Sequence, residues 1–289
     1  MRLLVTGASS FVGAHFALEA SQKHEVLGVY HSTPFSLPWV QAVRIDLTSP
    51  RAKKQLHSLH VDAVVHLATK IKENTHRGQS SAEQNTSMLD AILSMEKPIL
   101  YGSSTAVHWK KDIPYVLSRK KDEERIRSSQ LPYGILRPSA PYGPKLHMHK
   151  PKHKESFHTL VDMIRYSPVV PMISDGAYIR TPIHVRDFAH AGLALLDMGL
   201  DGMEFDAGGS EALSMKEIIQ KIAHQLNRSV HIAPIPKKLF VWLAQYNRNF
   251  EPSLIDAIDE DEYVDPQPLL FETGIAMRSF SQGLLDLLR

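Results

Sequence analysis

The chain contains no cysteine. That excludes a disulfide framework, a thiolate zinc site, an iron–sulfur cluster and a cysteine nucleophile, and it fits a reducing, cytoplasmic setting. Long apolar runs are missing too, and the longest fall far short of the roughly 20 residues that cross a membrane. The first residues, MRLLVTGASSFVG, are too interrupted by glycine and serine to form a signal-peptide core. Charge of one sign is scarce: 33 Lys+Arg against 31 Asp+Glu leave a formal +2, which gives no general case for nucleic-acid binding. Neither internal repeats nor low-complexity tracts occur. What is present is 289 residues with 43% apolar content, enough for one large domain or two intimate ones around a substantial core. The unusual count is histidine, at 16.

The first half alternates short apolar runs with helical patterns. Strands are expected at residues 2–6 (RLLVT), 25–30 (EVLGVY), 42–45, 62–67 (DAVVHL), 98–102 (PILYG) and 133–136 (YGIL). Helices are expected at 11–21, 50–59, 80–95 and 114–128. Strands separated by helices imply βαβ crossovers and an α/β, doubly wound parallel sheet covered on both faces. The second half is less regular. A basic loop spans 145–155 (KLHMHKPKHKE), and helices are expected at 158–166, 185–198, 214–227 and 281–288. Ser214 with Glu217 reads as a capping box. Strands are expected at 179–184 and 203–207, and residues 251–265 are acidic.

The first strand ends in Thr6-Gly7-Ala8-Ser9-Ser10-Phe11-Val12-Gly13 and leads into a helix. Gly7 suits a tight turn that a phosphate can approach, and Gly13 lets the helix pack closely on the strand. The helix start offers free N–H groups to a pyrophosphate. Gly7, Ser9, Ser10, Phe11, Val12 and Gly13 are therefore candidate dinucleotide ligands; a purely structural turn is the competing reading. Ser10 stands where many such loops have their middle glycine. The second strand ends Tyr30-His31-Ser32 without the acid that would bind a ribose 2′-hydroxyl and repel a 2′-phosphate. His31 as a phosphate donor tips the cofactor expectation from NAD toward NADP.

Further segments follow in order: Ile45-Asp46-Leu47, DAVVHLA at 62–68, Asn85, YGSSTAV at 101–107, Arg137-Pro138 with Tyr142-Gly143-Pro144, and Arg180 before HVRDFA at 184–189. With the glycine loop, these motifs resemble those of the extended short-chain dehydrogenase/reductase family, which includes NAD-dependent epimerases, dehydratases and sugar-nucleotide reductases. The resemblance runs from residue 1 to about residue 225. It implies a Rossmann domain at 1–145, to which 179–198 returns, and a smaller, mainly substrate-binding domain at 146–289. It also implies that Asp46 and Leu47 lie beside the adenine and that Ala68 and Thr69 line the nicotinamide end.

The family's acid/base tyrosine is matched by Tyr115, and its oxygen-polarising hydroxyl by Ser104. Its lysine, four residues after the tyrosine, lowers the tyrosine pKa and holds the nicotinamide ribose. Here that position is Arg119, and none of the nine tyrosines has a lysine at i+4. Arginine keeps the charge but changes reach and geometry. The plain alternative pairs Arg119 with Glu123 on the helix surface.

Three readings of the basic loop stay open. It is a solvated charge run, a metal site of His147, His149 and His153, or an anion-binding loop. The last, with Lys150, Lys152, Tyr142 and Arg180 as substrate ligands, suits the diphosphate of a nucleotide-activated sugar. No metal site is assigned, and the acidic segment reads as solvated or partner-facing. The expected function is an NAD(P)-dependent oxidoreductase or epimerase acting on a hydroxyl or carbonyl of a small anionic molecule. The alternative is a dinucleotide-binding sensor or scaffold of the same fold. No nucleic-acid or membrane partner is expected. The charged helix around residues 118–125 makes a poor apolar dimer seam, which leaves a monomer or a homodimer.

Overall fold

Hydrophobic runs and helix caps of the first half build a sheet to which the second half adds one edge strand. The computed structural model describes residues 1–71, 78–146, 151, 155–240 and 257–289. The main sheet has seven strands: β1 (Arg2–Thr6), β2 (Glu25–Tyr30), β3 (Val40–Arg44), β4 (Ala63–His66), β5 (Ile99–Gly102), β6 (Tyr133–Pro138) and, further along, β9 (Asp201–Ala207). Their order is β3-β2-β1-β4-β5-β6-β9, and every neighbouring pair is parallel. The order reverses between β1 and β4, so the crevice beyond their carboxyl ends is where a ligand fits.

Helix α1 (Phe11–Ala20) covers one face with α6 (Val185–Met198), and their apolar sides join Leu3, Val5, Leu100 and Leu136 in one core. The other face is covered by α2 (Ala52–His57), α3 (Ser81–Leu93) and α4 (Pro114–Arg127), with Leu4, Leu27, Leu56, Leu89 and Ile126 in the second core. The central strands β1, β2, β4, β5 and β6 are buried on both faces, which explains their continuously apolar cores, whereas the edge strands β3 and β9 are more exposed and more polar.

The smaller lobe holds α5 (Ser156–Tyr166), β7 (Val169–Ile173), β8 (Ile179–Arg180), β10 (Leu213–Ser214), α7 (Met215–Gln225), β11 (His231–Ile235) and α9 (Phe280–Leu288), while α8 (Gln267–Thr273) packs back on α6 and β9 of the large sheet. Helices α5, α7 and α9 close its core around Phe157, Ile164, Ile218, Ile222, Phe280 and Leu284. Ser214 caps α7 in the expected box with Glu217; Ser80 with Glu83 and Ser279 with Gln282 form two more. The parallel pair β7–β11 was not expected, because Pro171 and Pro234 interrupt both runs and alternation is weak. Residues 179–180 pair with β10 in the lobe, and it is α6 with β9 that completes the large sheet.

The segment 142–144 links the lobes and collects buried histidines. Tyr142 N–H donates to Ile183 O and its own carbonyl accepts Val185 N–H. His158 donates from Nε2 to Gly143 O at 2.9 Å, and His15 donates from Nε2 to Pro144 O at 3.0 Å. His184 caps α6, its Nδ1 accepting from Arg186 N at 3.3 Å and from Arg278 Nη1 at 3.0 Å. Burial pushes His15 down to about 4 and His184 likewise to about 4, so both stay neutral. His15 and His158, from two helices, thus donate to the linking segment, and the His184 ring packs edge-on against Tyr142.

Candidate active site

Gly7 has φ +69°, and a Cβ there would lie 2.8 Å from Ala68 N. A Cβ on Gly13 would lie 2.1 Å from Gly7 O. Both positions are closed to any side chain, and the turn they permit sets α1 pointing at the crevice. Ser10 caps α1: its Oγ accepts Gly13 N–H at 3.0 Å, and its own N–H donates to Gly7 O at 2.8 Å. The serine in place of a middle glycine is therefore used as a helix cap. Among the described residues no backbone group takes the N–H of Phe11 or Val12, which leaves the first-turn donors facing the crevice. Ser9 lies half-buried beside them.

Thr6 ties this loop to the end of β4. Its Oγ1 accepts N–H from Leu67 at 3.1 Å and from Ala68 at 3.2 Å, and contacts His66 Nδ1 at 2.7 Å. The two amide donors leave the hydroxyl proton for Nδ1, so the imidazole carries its own proton on Nε2. Burial, helped by the Arg119 charge, pushes His66 down to about 3 and keeps it neutral. At the far side of the crevice His31 Nε2 lies 3.8 Å from Asp46 Oδ2, and Asp46 Oδ1 accepts Thr48 Oγ1–H at 2.7 Å. The acid that the end of β2 lacks is supplied from the end of β3, next to buried Leu47.

Three hydroxyls line the ends of successive strands: Thr69 after β4, Ser103 after β5 and Ser139 after β6. Their oxygens are sealed and take no partner among the described residues. The glycine cradle and the first-turn donors together fit a dinucleotide.

Ser104 caps the 3-10 turn Thr105–His108, its Oγ accepting Ala106 N–H at 3.2 Å. Tyr115 sits in the first turn of α4 after Pro114, which suits that turn because its missing N–H is not needed there. Tyr115 is half-buried and packs with Trp109 against Ala106, Ile113, Val116 and Ala257. The turn that carries Ser104 and the helix start that carries Tyr115 are thus packed together.

Arg119 does not pair with Glu123. Its Nη2 donates to Asp122 Oδ2 at 2.9 Å, with both side chains 2% exposed. Glu123 is taken by Arg137, whose Nε and Nη2 fork onto it at 2.7 Å each. Arg119, Asp122 and Glu123 are therefore buried, and the charge of α4 points inward as much as outward. A charge-rich helix reads as a solvated face in sequence because nothing local reports which carboxylates meet Arg137 on β6. Burial raises Asp122 despite the neighbouring Arg119 charge. Asn85 locks α3 to this region, accepting Lys70 N–H at 2.7 Å and donating to Ser118 Oγ at 3.2 Å.

Of the expected substrate ligands, Lys150 and Lys152 lie outside the described residues, as do His147, His149 and His153. Tyr142 is 1% exposed, its ring wedged among Phe157, His184 and Phe280. Burial raises its hydroxyl pKa. Arg180 stacks on Tyr178 at 4.9 Å and donates to the carbonyls of Ile179 at 2.7 Å, Glu260 at 2.6 Å and Ile258. The described end of the acidic segment is partly solvated, with Asp261 and Asp265 exposed, yet three of its carboxylates bind this chain. Glu262 Oε1 lies 2.5 Å from Thr105 Oγ1, Asp261 accepts Ile179 N–H at 2.8 Å, and Glu260 accepts Lys110 N–H at 2.6 Å. Residues 257–264 form a strap bound to the segment that follows Ser104. Asp122, Tyr101 and Glu262 are site neighbours that sequence reasoning missed. The only signal for Asp122 was its i+3 spacing from Arg119. Among the described residues no cluster of three or more His, Asp or Glu is placed to hold a metal, and no helix is long and apolar enough to cross a membrane.

Similarity to known proteins agrees with this geometry. The chain is 24% identical over 317 aligned positions to dTDP-4-dehydro-6-deoxy-D-allose reductase of Streptomyces bikiniensis, covering 94% of this chain and 93% of that protein. It is 25% identical to ceramide reductase of Caulobacter vibrioides, covering 80% and 73%. Among solved structures it superposes on UDP-glucuronic acid 4-epimerase of Bacillus cereus, in complex with UDP-glucuronic acid and NAD, with a TM-score of 0.77 at 20% identity, covering 100% and 98%. UDP-glucose 4-epimerase of Bifidobacterium longum, in complex with NAD+ and UDP, gives a TM-score of 0.78 at 19% identity, covering 100% and 97%. Residues 3–208 match the NAD dependent epimerase/dehydratase family, and the chain belongs to that family.

Proposed function

We propose that the protein is a nicotinamide-dependent oxidoreductase or epimerase that acts on a hydroxyl or carbonyl carbon of a nucleotide-activated sugar. The observation that carries this reading is the packing of the Tyr115 helix start on the Ser104 turn, just after β5. Gly7, Ser9, Phe11, Val12 and Gly13 would cradle the pyrophosphate, Ser10 would hold the helix start in place, and Asp46 with Leu47 would border the adenine. Ala68 and Thr69 would line the nicotinamide end. When bound, the dinucleotide supplies or accepts hydride. Tyr115 gives a proton to the substrate oxygen on reduction and takes it on oxidation, while Ser104 donates a hydrogen bond to the same oxygen. Arg119 keeps positive charge behind the tyrosine. Simple reduction and internal epimerisation use the same residues.

We propose NAD rather than NADP as the cofactor. A 2′-phosphate beside His31 would approach the Asp46 carboxylate, 3.8 Å from that ring, and the relatives' solved complexes contain NAD. The leaning toward NADP rested on the missing acid at the end of β2, and Asp46 fills that place from the next strand. Titration with each dinucleotide tests this: tighter NADP binding overturns it. The activity test is Tyr115→Phe assayed over a panel of nucleotide sugars and their keto forms. Turnover should fall at least about a hundredfold with cofactor affinity unchanged. A wild-type protein that binds dinucleotide tightly and turns over no substrate favours the second reading, a sensor or scaffold, for which the buried Arg119–Asp122 pair in the lysine position is the supporting observation.

A further inference from the structure

The ion pair behind Tyr115 is built in an unusual way. Asp122 Oδ2 accepts from Arg119 Nη2 at 2.9 Å and from the Tyr101 hydroxyl at 3.1 Å. The guanidinium carbon lies 5.3 Å from the Tyr101 ring centroid and 5.8 Å from that of Tyr115. Two atoms of the pair are left over. Arg119 Nε and Asp122 Oδ1 are sealed and take no partner among the described residues. A buried ion pair with unpaired atoms is a poor device for stability, because an apolar pair of similar volume avoids the desolvation of both charges. What the arrangement does achieve is placement: the guanidinium is fixed between two tyrosine rings, with one carboxylate opposing its charge.

We infer that Asp122 is a positioning residue for proton transfer, anchoring Arg119 over the Tyr115 ring and offsetting part of its charge, and that this pair does the work of the lysine the chain lacks. The inference rests on the reading of Tyr115 as the acid/base group. Lysine would reach the site as a compact point charge on a flexible stem, whereas arginine presents a broad planar fork that needs an anchor to hold one orientation.

The other charged groups around the pair are already engaged. On α4, Lys120 pairs with Asp112, Glu123 with Arg137 and Arg127, and Arg125 with Asp90 of α3, while Lys121 points to solvent. From β4, His66 is neutral. From β6, Arg137 is bound to Glu123 and Glu204. At the end of the 3-10 turn, His108 pairs with Asp206. From the strap, Glu262 faces Thr105 and Glu260 faces Lys110 N–H. Asp122 is therefore the carboxylate that meets Arg119 among the described residues.

The experiment follows the pH–rate profile and, in parallel, a spectrophotometric tyrosinate titration of the protein without substrate. Asp122→Asn leaves the guanidinium unopposed. The acid limb of the profile should move to lower pH by about one unit, and a tyrosinate signal missing from Tyr115→Phe should move with it. The apolar pair Arg119→Met/Asp122→Leu, which should fold at least as well, should move both to higher pH. If Asp122→Asn lowers turnover equally at every pH and leaves the tyrosinate signal in place, Asp122 only supports packing and the inference is overturned. Should the tyrosinate signal shift while even the wild type lacks turnover, the electrostatic inference holds and the proposed activity fails. An absence of any shift in the apolar pair also overturns the inference.

Discussion

Thr105 and Glu262 meet at 2.5 Å although 157 residues separate them. The contact joins the residue after Ser104 to a segment near the end of the chain, and Glu262 is only 9% exposed. The C-terminal strap is thus tied to the segment that follows Ser104, and Arg180 holds it through carbonyls of residues 258 and 260. Glu262→Ala should destabilise the protein by about 1–3 kcal/mol, the range for removing one partner of a buried polar contact. Urea denaturation at neutral pH measures this, and a loss below about 0.5 kcal/mol would mean that the strap is held elsewhere.

Glu204 joins Arg127 and Arg137 in a network across β6 and β9, with oxygens at 2.6 Å from each guanidinium. The hydrogen bond from Arg127, with Arg137 behind it, holds Glu204 down at about 2 against an ordinary 4.5. A carboxylate with a lowered folded pKa contributes stability above its unfolded value and loses it as pH falls through the folded one. The contribution, on the order of 2–3 kcal/mol, should be complete above pH 4.5 and disappear toward pH 2. Glu204→Gln should flatten the stability curve in that window, as followed by circular dichroism.

Histidine protonation works in a neighbouring window with the same sign. His15 and His184 fall from 6.5 to about 4 on folding because they are buried. The unfolded chain takes up protons first, so stability declines from pH 6.5 toward pH 4, by on the order of 2–3 kcal/mol for each ring. His66, pushed down to about 3, adds to the same window, so His15→Gln, whose amide can still donate to Pro144 O, should remove at most about a third of the slope in urea titrations at stepped pH. An unchanged slope would assign it to other groups.

Gly13→Ala tests the cradle directly. The added methyl would stand 2.1 Å from Gly7 O, a backbone atom that cannot swing aside. The loop must open, and NAD affinity measured by fluorescence should fall at least about tenfold. Val12→Ala, one position away and half-buried, should change it less than about threefold.

Features whose cause is local were legible in the sequence. The glycine loop was readable because positive φ and close approach leave only glycine. The Ser214 box was readable because its partners are three residues apart, and the strands because two-sided burial demands continuous apolar runs. The departure at Arg119 was visible as a missing lysine at i+4. Its partner was not, since Asp122 looks like any carboxylate on a charged helix until β5 and β6 fix which side of α4 is inside. His15 donates across 129 residues to Pro144, and Arg180 is occupied by carbonyls about 80 residues ahead. Such contacts depend on tertiary closure, which no window of residues encodes.

The path of the chain through its own sheet sets a limit on how the protein can be divided. β6 ends at residue 138, yet its outer neighbour β9 is not made until residues 201–207. During synthesis β6 remains an open edge while the small lobe's first elements emerge, and α1 lacks the cover of α6 over the same interval. A gene split at residue 145 would therefore yield a first product with a bare parallel edge and an uncovered apolar helix face, prone to pair with copies of itself. The two lobes thus share one sheet, because the strand and helix that finish the first lobe come after the first elements of the second.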